Sequence, residues 1–156
     1  MDWVTANWES NGCDLWEEAR NVDFFWGRMG YVNALRAAAD FATSIGKADT
    51  ATSYKSTADS IKETLYKHWN GQYLTESDNQ DTYHTHGVDG ATIHAIASFP
   101  NEVYGVASSQ TAATIKNHNK VFCEEYAVNR SDNDKKIPGI LIGRYPGDHY
   151  ANGNPW

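Results

Sequence analysis

The chain has 156 residues, the size of one ordinary domain, and a formal net charge of −7. Its 13 Lys and Arg are scattered apart from Lys135-Lys136, so the basic face that binds a nucleic-acid duplex is missing. No stretch of 18 apolar residues is present to span a membrane, and two cysteines are too few for a disulfide framework.

The N-terminus, MDWVTANWES, has neither the basic start nor the apolar run of a signal peptide. Residues 12–21, GCDLWEEARN, crowd Asp14, Glu17 and Glu18 around Trp16. If 14–18 turn helically, Asp14 shares a side with Glu17 and Glu18, while Glu17 and Glu18 point apart. Acids held close, against an indole, bind their protons more tightly, which suits a proton donor. The same composition also describes an acidic helix N-terminus that complements the helix dipole. Residues 22–44 predict a helix from the stripe Val22, Phe25, Met29, Val32, Leu35, Ala39 and Ala42, widened by Phe24, Trp26 and Phe41, with Gly46 ending it. Residues 50–69 predict a second helix, with Ala51, Tyr54, Ala58, Ile61, Leu65 and Trp69 on one side and Asp49 as cap, stopped by Asn70-Gly71. QYLTES has strand character but is short, and 77–87 reads as a polar loop. VDGATIHAIASF predicts a shorter helix from Asp89, ended by Pro100. Residues 108–126 predict a fourth, with Ala112, Ile115, Phe122 and Tyr126 on one side and Asn119 as a polar break. The remainder is irregular, rich in Gly, Pro and aromatics. The fold class is therefore all-α, a helical array or toroid whose loops collect on one face, where a site can form.

Besides the acidic cluster, GRYPGDHYANGNPW at 143–156 could bind sugars. Aromatic faces suit the apolar faces of sugar rings, and Arg144 and Asp148 can satisfy hydroxyls; an ordinary tight loop with a Tyr/Trp anchor reads equally well. His84 and His86, with His94 beyond, lack a third ligand of metal spacing and read as solvated loop histidines, so no metal or cofactor is expected. Asp89 reads as a helix cap. Cys13 and Cys123 read as two small buried hydrophobes or as one bridge, and Asn129-Arg130-Ser131 is a glycosylation sequon.

DLWEE at 14–18, followed by GRYP-x-D-x-Y and GNPW at 143–156, resembles the glucoamylases of glycoside hydrolase family 15. VDGATIHAIASF and the upstream ANWES match the family in style, so the resemblance covers nearly the whole chain. It implies an (α/α)6 toroid, here partial and incomplete, with residues 1–156 as one fragment of the catalytic domain. It also implies release of glucose, with inversion, from the non-reducing ends of starch, maltooligosaccharides or related α-glucans by a secreted enzyme. On the motif match, Glu17 is the general acid and Glu18 binds hydroxyls of the sugar beside the scissile bond. Asp14 lies next to the acid, with a proton-acceptor role in some descriptions of the motif. Trp16 forms pocket wall. Arg144 binds substrate hydroxyls, supported by Tyr145, Asp148 and Trp156. Two departures are Ala19-Arg20-Asn21 after the acids, where an apolar residue and Asn-Gly are usual, and Gly147 where an acid is usual. The second carboxylate that an inverting enzyme needs lies beyond GNPW in the family. The implied partner is thus the rest of the catalytic domain, and the fragment alone is expected to be inactive; a non-catalytic carbohydrate-binding remnant is the alternative.

Overall fold

The computed structural model describes residues 1–21, 23–78 and 87–149. Among them are six α-helices: α1 (Asp2–Asn7), α2 (Phe25–Ser44), α3 (Ala48–Lys62), α4 (Gly90–Ser98), α5 (Ser109–Glu125) and α6 (Ala127–Asp134). Two short strands, β1 (Gly12–Cys13) and β2 (Arg20–Asn21), pair antiparallel.

The spine is α2. It buries Phe25, Arg28, Met29, Val32, Leu35, Ala39 and Ala42, so the apolar spacing of the sequence fixes the inward face, although Phe41 is exposed. Three apolar clusters run along this helix. Phe25 and Met29 pack with Leu65, Leu74, Ala95, Ile96 and Tyr104. Val32 and Leu35 pack with Ala58 and Ile61 of α3, and Ala39 and Ala42 with Ala51. Large side chains near the start of α2 and alanines near its end let α3 fold back closely after a short connection. Gly46 makes that connection: at φ 73° it takes the left-handed conformation that closes a helix, with its N–H donating to Thr43 O and the Lys47 N–H donating to Ala42 O.

No side chain of its own caps the start of α2. Glu76 does so from a distance. Its backbone carbonyl accepts from the Phe25 N–H at 2.7 Å and its carboxylate from the Trp26 N–H at 3.0 Å. The Thr92 hydroxyl of α4 donates to the other carboxylate oxygen at 3.1 Å, so one buried side chain joins α2 to α4.

The structure corrects several sequence expectations. The second helix ends at Lys62, where the Thr64 hydroxyl takes up the Ile61 carbonyl and a short 3-10 turn, Leu65–His68, follows. Asp49 sits in the first turn of α3 and does not cap it; the cap position is Lys47. The inward face of α5 is Thr111, Thr114, His118 and Phe122, and Ile115 is exposed, because this face meets polar backbone: the Leu74 N–H at Thr114 and the Asp89 carbonyl at His118. Helix α6 carries no apolar stripe that would announce it. It is held by Asn129, whose Nδ2 donates to Phe122 O and Leu141 O while its Oδ1 accepts from the Leu141 N–H. Both amide hydrogens of this buried sequon asparagine are therefore committed. Cys13 and Cys123 are both free thiols, Cys13 exposed and Cys123 half-buried, so neither alternative read from the sequence holds. His94 accepts from the Trp26 indole at 2.8 Å, and His84 and His86 lie outside the described residues. Among the described residues no cluster of His, Cys, Asp or Glu could hold a metal. No described helix is long and apolar enough to cross a membrane.

Two buried groups make stability depend on pH in opposite senses. Burial pushes the His68 imidazole down to about 4, against the pull of Asp23. The unfolded chain therefore takes up a proton near pH 6.5 that the folded chain refuses, and stability is lost as pH falls from about 6.5 toward 4. Burial and then Asp89 push Glu76 well above the carboxylate range, so its contribution is present at low pH and is lost as pH rises above about 4.5. Chemical denaturation across pH should show His68→Asn lacking the acid-side loss, with a slope difference approaching about 1.4 kcal/mol per pH unit, and Glu76→Gln lacking the opposite one.

Candidate active site

The acids of 14–18 are not on a helix. Residues 14–19 form the turn between β1 and β2, in which Gly12 pairs with Asn21 and Cys13 with Arg20. Asp14 builds this turn. Its N–H donates to Ala19 O at 3.1 Å, its carbonyl accepts from the Glu17 N–H at 3.2 Å, and its Oδ1 accepts from the N–H groups of Glu18 at 2.8 Å and Ala19 at 3.0 Å. The carboxylate that does this is 4% exposed. Glu17, by contrast, is exposed and sits at φ 61°, a left-handed backbone that a non-glycine residue adopts only when its surroundings force it. An open cavity of about 530 Å³ is lined by Cys13, Glu17, Glu18, Ala19 and Arg20.

The second motif meets this turn across more than 120 positions of chain. The Arg144 Nη1 donates to Glu18 Oε1 at 2.7 Å, and the Tyr145 hydroxyl donates to Glu18 Oε2. Behind the guanidinium, Asp148 accepts from Nε at 2.8 Å and from Nη2 at 2.7 Å, a two-pronged contact that fixes the plane of the arginine. The guanidinium lies 5.6 Å from the Trp16 ring centre and 5.1 Å from that of Tyr145. Asp148, followed by Glu18, holds Arg144 firmly in its charged form. Burial and the bond to Glu18 raise the Tyr145 phenol far above its ordinary value, so it stays a donor.

The structure thus brings together Asp14, Trp16, Glu17, Glu18, Arg144, Tyr145 and Asp148, all expected from the sequence. Trp156 lies outside the described residues. Two contributors escaped the sequence reading. Asp89 caps α4 as expected, accepting from the Ala91 N–H at 2.7 Å, but its carboxylate also takes the Trp16 indole N–H at 3.0 and 3.2 Å. The Gly90 N–H donates to Arg144 O at 2.6 Å. No local signal ties residues 73 positions apart, and the Asp-Gly pair opening a small-residue helix was the available hint.

The model of the family described as glycosyl hydrolases family 15 matches residues 1–156. Glucoamylase-1 of Schizophyllum commune is 32% identical over 165 residues, taking in all of this chain and 27% of that protein. The glucoamylase of Blastobotrys adeninivorans is 29% identical over 170 residues, again 27% of its length. Among solved structures, the glucoamylase from Saccharomycopsis fibuligera superposes with a TM-score of 0.81 at 25% identity, covering 99% of this chain and 34% of that one. The Hormoconis resinae glucoamylase gives 0.82 at 29% identity, covering 99% and 26%. The chain therefore spans about a quarter to a third of the length of these relatives, and its helices form part of an (α/α)6 toroid.

The backbone of Glu17 gives a direct check on the turn. Replacing Glu17 by Gly, which has no Cβ to strain at positive φ, should leave thermal stability unchanged or raise it by about 1 kcal/mol. Glu17→Val should lower it by at least as much, since a β-branched side chain tolerates that conformation worst. Thermal denaturation of the two variants beside the parent chain measures both.

Proposed function

The chain belongs to glycosyl hydrolases family 15, and we propose that it carries the acid-bearing half of an α-glucan exo-hydrolase site of the glucoamylase kind. In this reading Glu17 is the general acid that protonates the glycosidic oxygen as its bond to the anomeric carbon breaks. Glu18, Arg144 and Tyr145 hold the hydroxyls of the sugar beside that bond. Asp14 acts through the turn, fixing the backbone from which Glu17 and Glu18 spring, and Trp16 contributes apolar wall. The observation that carries the proposal is the joining of Glu18 to Arg144 and Tyr145, which assembles the two motifs into one surface. A charged arginine, a carboxylate and a phenol within hydrogen-bond reach of one another form an alternating donor and acceptor array that suits neutral polyols.

Inversion requires a second carboxylate about 6.5–9.5 Å from the acid to activate water on the opposite face of the ring. We assign that group to a part of the enzyme outside these 156 residues. The substrates are starch, maltooligosaccharides or related α-glucans, and the complete enzyme is extracellular. The 156-residue chain then binds sugar without turning it over.

Tryptophan fluorescence titrated with maltotriose, with glucose release followed in parallel, tests this. Saturable binding without glucose release is expected, and Arg144→Ala or Glu18→Ala should weaken binding by roughly tenfold or more, since each leaves a partner unpaired. Glucose release that is abolished by Glu17→Gln would show that the chain holds a working pair of carboxylates. No binding at all would remove the carbohydrate reading of this surface.

A further inference from the structure

The two motifs touch through Glu18 and Arg144, a pair open to solvent on the Glu18 side, where an ion pair by itself adds little to stability. Both are anchored a second time, and the two anchors are consecutive residues. Asp89 is fully buried, and its carboxylate accepts from the Trp16 indole N–H at 3.0 and 3.2 Å and from the Ala91 N–H at 2.7 Å. Trp16 is two residues from Asp14 and immediately before Glu17, so where its indole is held decides where the turn sits. Gly90, next along, donates its N–H to Arg144 O at 2.6 Å. A Cβ at Gly90 would lie 2.5 Å from the Gly143 carbonyl oxygen, so only glycine admits the loop this close.

The junction is itself clamped from below. His118 of α5 has one ring nitrogen 2.9 Å from Asp89 O and the other 2.9 Å from Thr114 O. Glu76, which caps α2, accepts from the Thr92 hydroxyl of α4 and lies near enough to Asp89 for the two acids to interact. Helix α4 therefore presents a point that is rigid with respect to both α2 and α5.

We infer that Asp89 is a positioning residue: together with Gly90 it registers the acid-bearing turn against the arginine loop, acting through the Trp16 indole. The bond to the indole needs an acceptor at that place and does not need charge, because the donor is neutral. The consequence for sugar binding rests on the function proposed above; the positioning itself rests on geometry alone.

Three variants of the full chain separate the contributions. Asp89→Asn keeps an oxygen where both the indole and the helix cap need it. Asp89→Ala removes both bonds. Trp16→Phe removes only the indole bond and keeps the cap. In two-dimensional proton–nitrogen spectra, Asp89→Ala should move the Trp16 Nε1–H signal out of its hydrogen-bonded position and shift the backbone signals of 14–19, with those of α4 beyond its first turn in place. Trp16→Phe should shift 14–19 in the same way, and Asp89→Asn should leave all of them close to the parent. Maltotriose affinity should fall by roughly tenfold in Asp89→Ala and Trp16→Phe and return in Asp89→Asn, the cost of a misplaced turn. Unmoved signals for 14–19 in Asp89→Ala would overturn the inference. If that variant does not fold, unmoved signals for the backbone of 14–19 in Trp16→Phe, whose cap is intact, would do so equally. Loss of the turn in Asp89→Asn would also overturn it, because a charge and not an acceptor would then be holding Trp16. If the parent chain binds no sugar while the spectra behave as expected, the carbohydrate reading fails and the positioning role stands.

Discussion

Arg144 is gripped from behind by Asp148, whose carboxylate is 1% exposed and takes two of its N–H groups, and this aims Nη1 of the guanidinium at Glu18. A buried carboxylate without such a partner would be strongly unfavourable, so Asp148 and Arg144 are placed together or not at all. Lysine could not substitute: a single ammonium cannot present two parallel donors to Asp148 and a third to Glu18 in one plane. The Gly147 N–H, held by Glu125 at the end of α5, ties the same loop down from its other side. The exposed ends of this chain of contacts add little to stability, and their effect is to fix where a donor and an acceptor stand relative to each other.

That the acids sit on a turn and not on a helix changes what each can do. On a helix, Asp14 would stand beside Glu17 as a second side chain facing the same solvent. In the turn, its carboxylate is buried and its Oδ1 holds the amides of Glu18 and Ala19, so its work is done on the backbone. The left-handed backbone of Glu17 lies inside the same network, between its own N–H bonded to Asp14 O and the Glu18 N–H bonded to Asp14 Oδ1.

How much of this was legible in the sequence varies with the physics involved. The inward face of α2 was, because large side chains at helical spacing decide burial whatever their neighbours, and Gly46 marked its end for a reason intrinsic to glycine. The inward face of α5 was displaced by one position, because the surface it meets is polar backbone and the sequence gives threonine and histidine no apolar signature. Helix α6 went unseen because a single asparagine, bonded to residues seven and twelve positions away, replaces the apolar stripe that would have revealed it. In the site, residue types and motif pairing identified the members. The register between them was hidden, because it lies in Trp16–Asp89 and Gly90–Arg144, contacts between residues distant in the chain that no local pattern encodes.

The polar interior beneath α4 has its own logic. Thr111, Thr114 and His118 would be poor choices for a helix whose only task was to bury apolar area. Two of them serve backbone instead: the Thr114 hydroxyl accepts from the Leu74 N–H, and a His118 ring nitrogen lies 2.9 Å from the Asp89 carbonyl, where α4 begins. Asp89 is a buried acid with a second buried acid, Glu76, close by, and burial together with Asp89 holds the Glu76 proton well beyond the ordinary range. A neutral Glu76 removes one like charge from beside Asp89, which accepts from both the indole and the helix N-terminus. The Asp89 carboxylate thereby serves two donors, the Trp16 indole and the Ala91 N–H, while His118 lies at its backbone carbonyl.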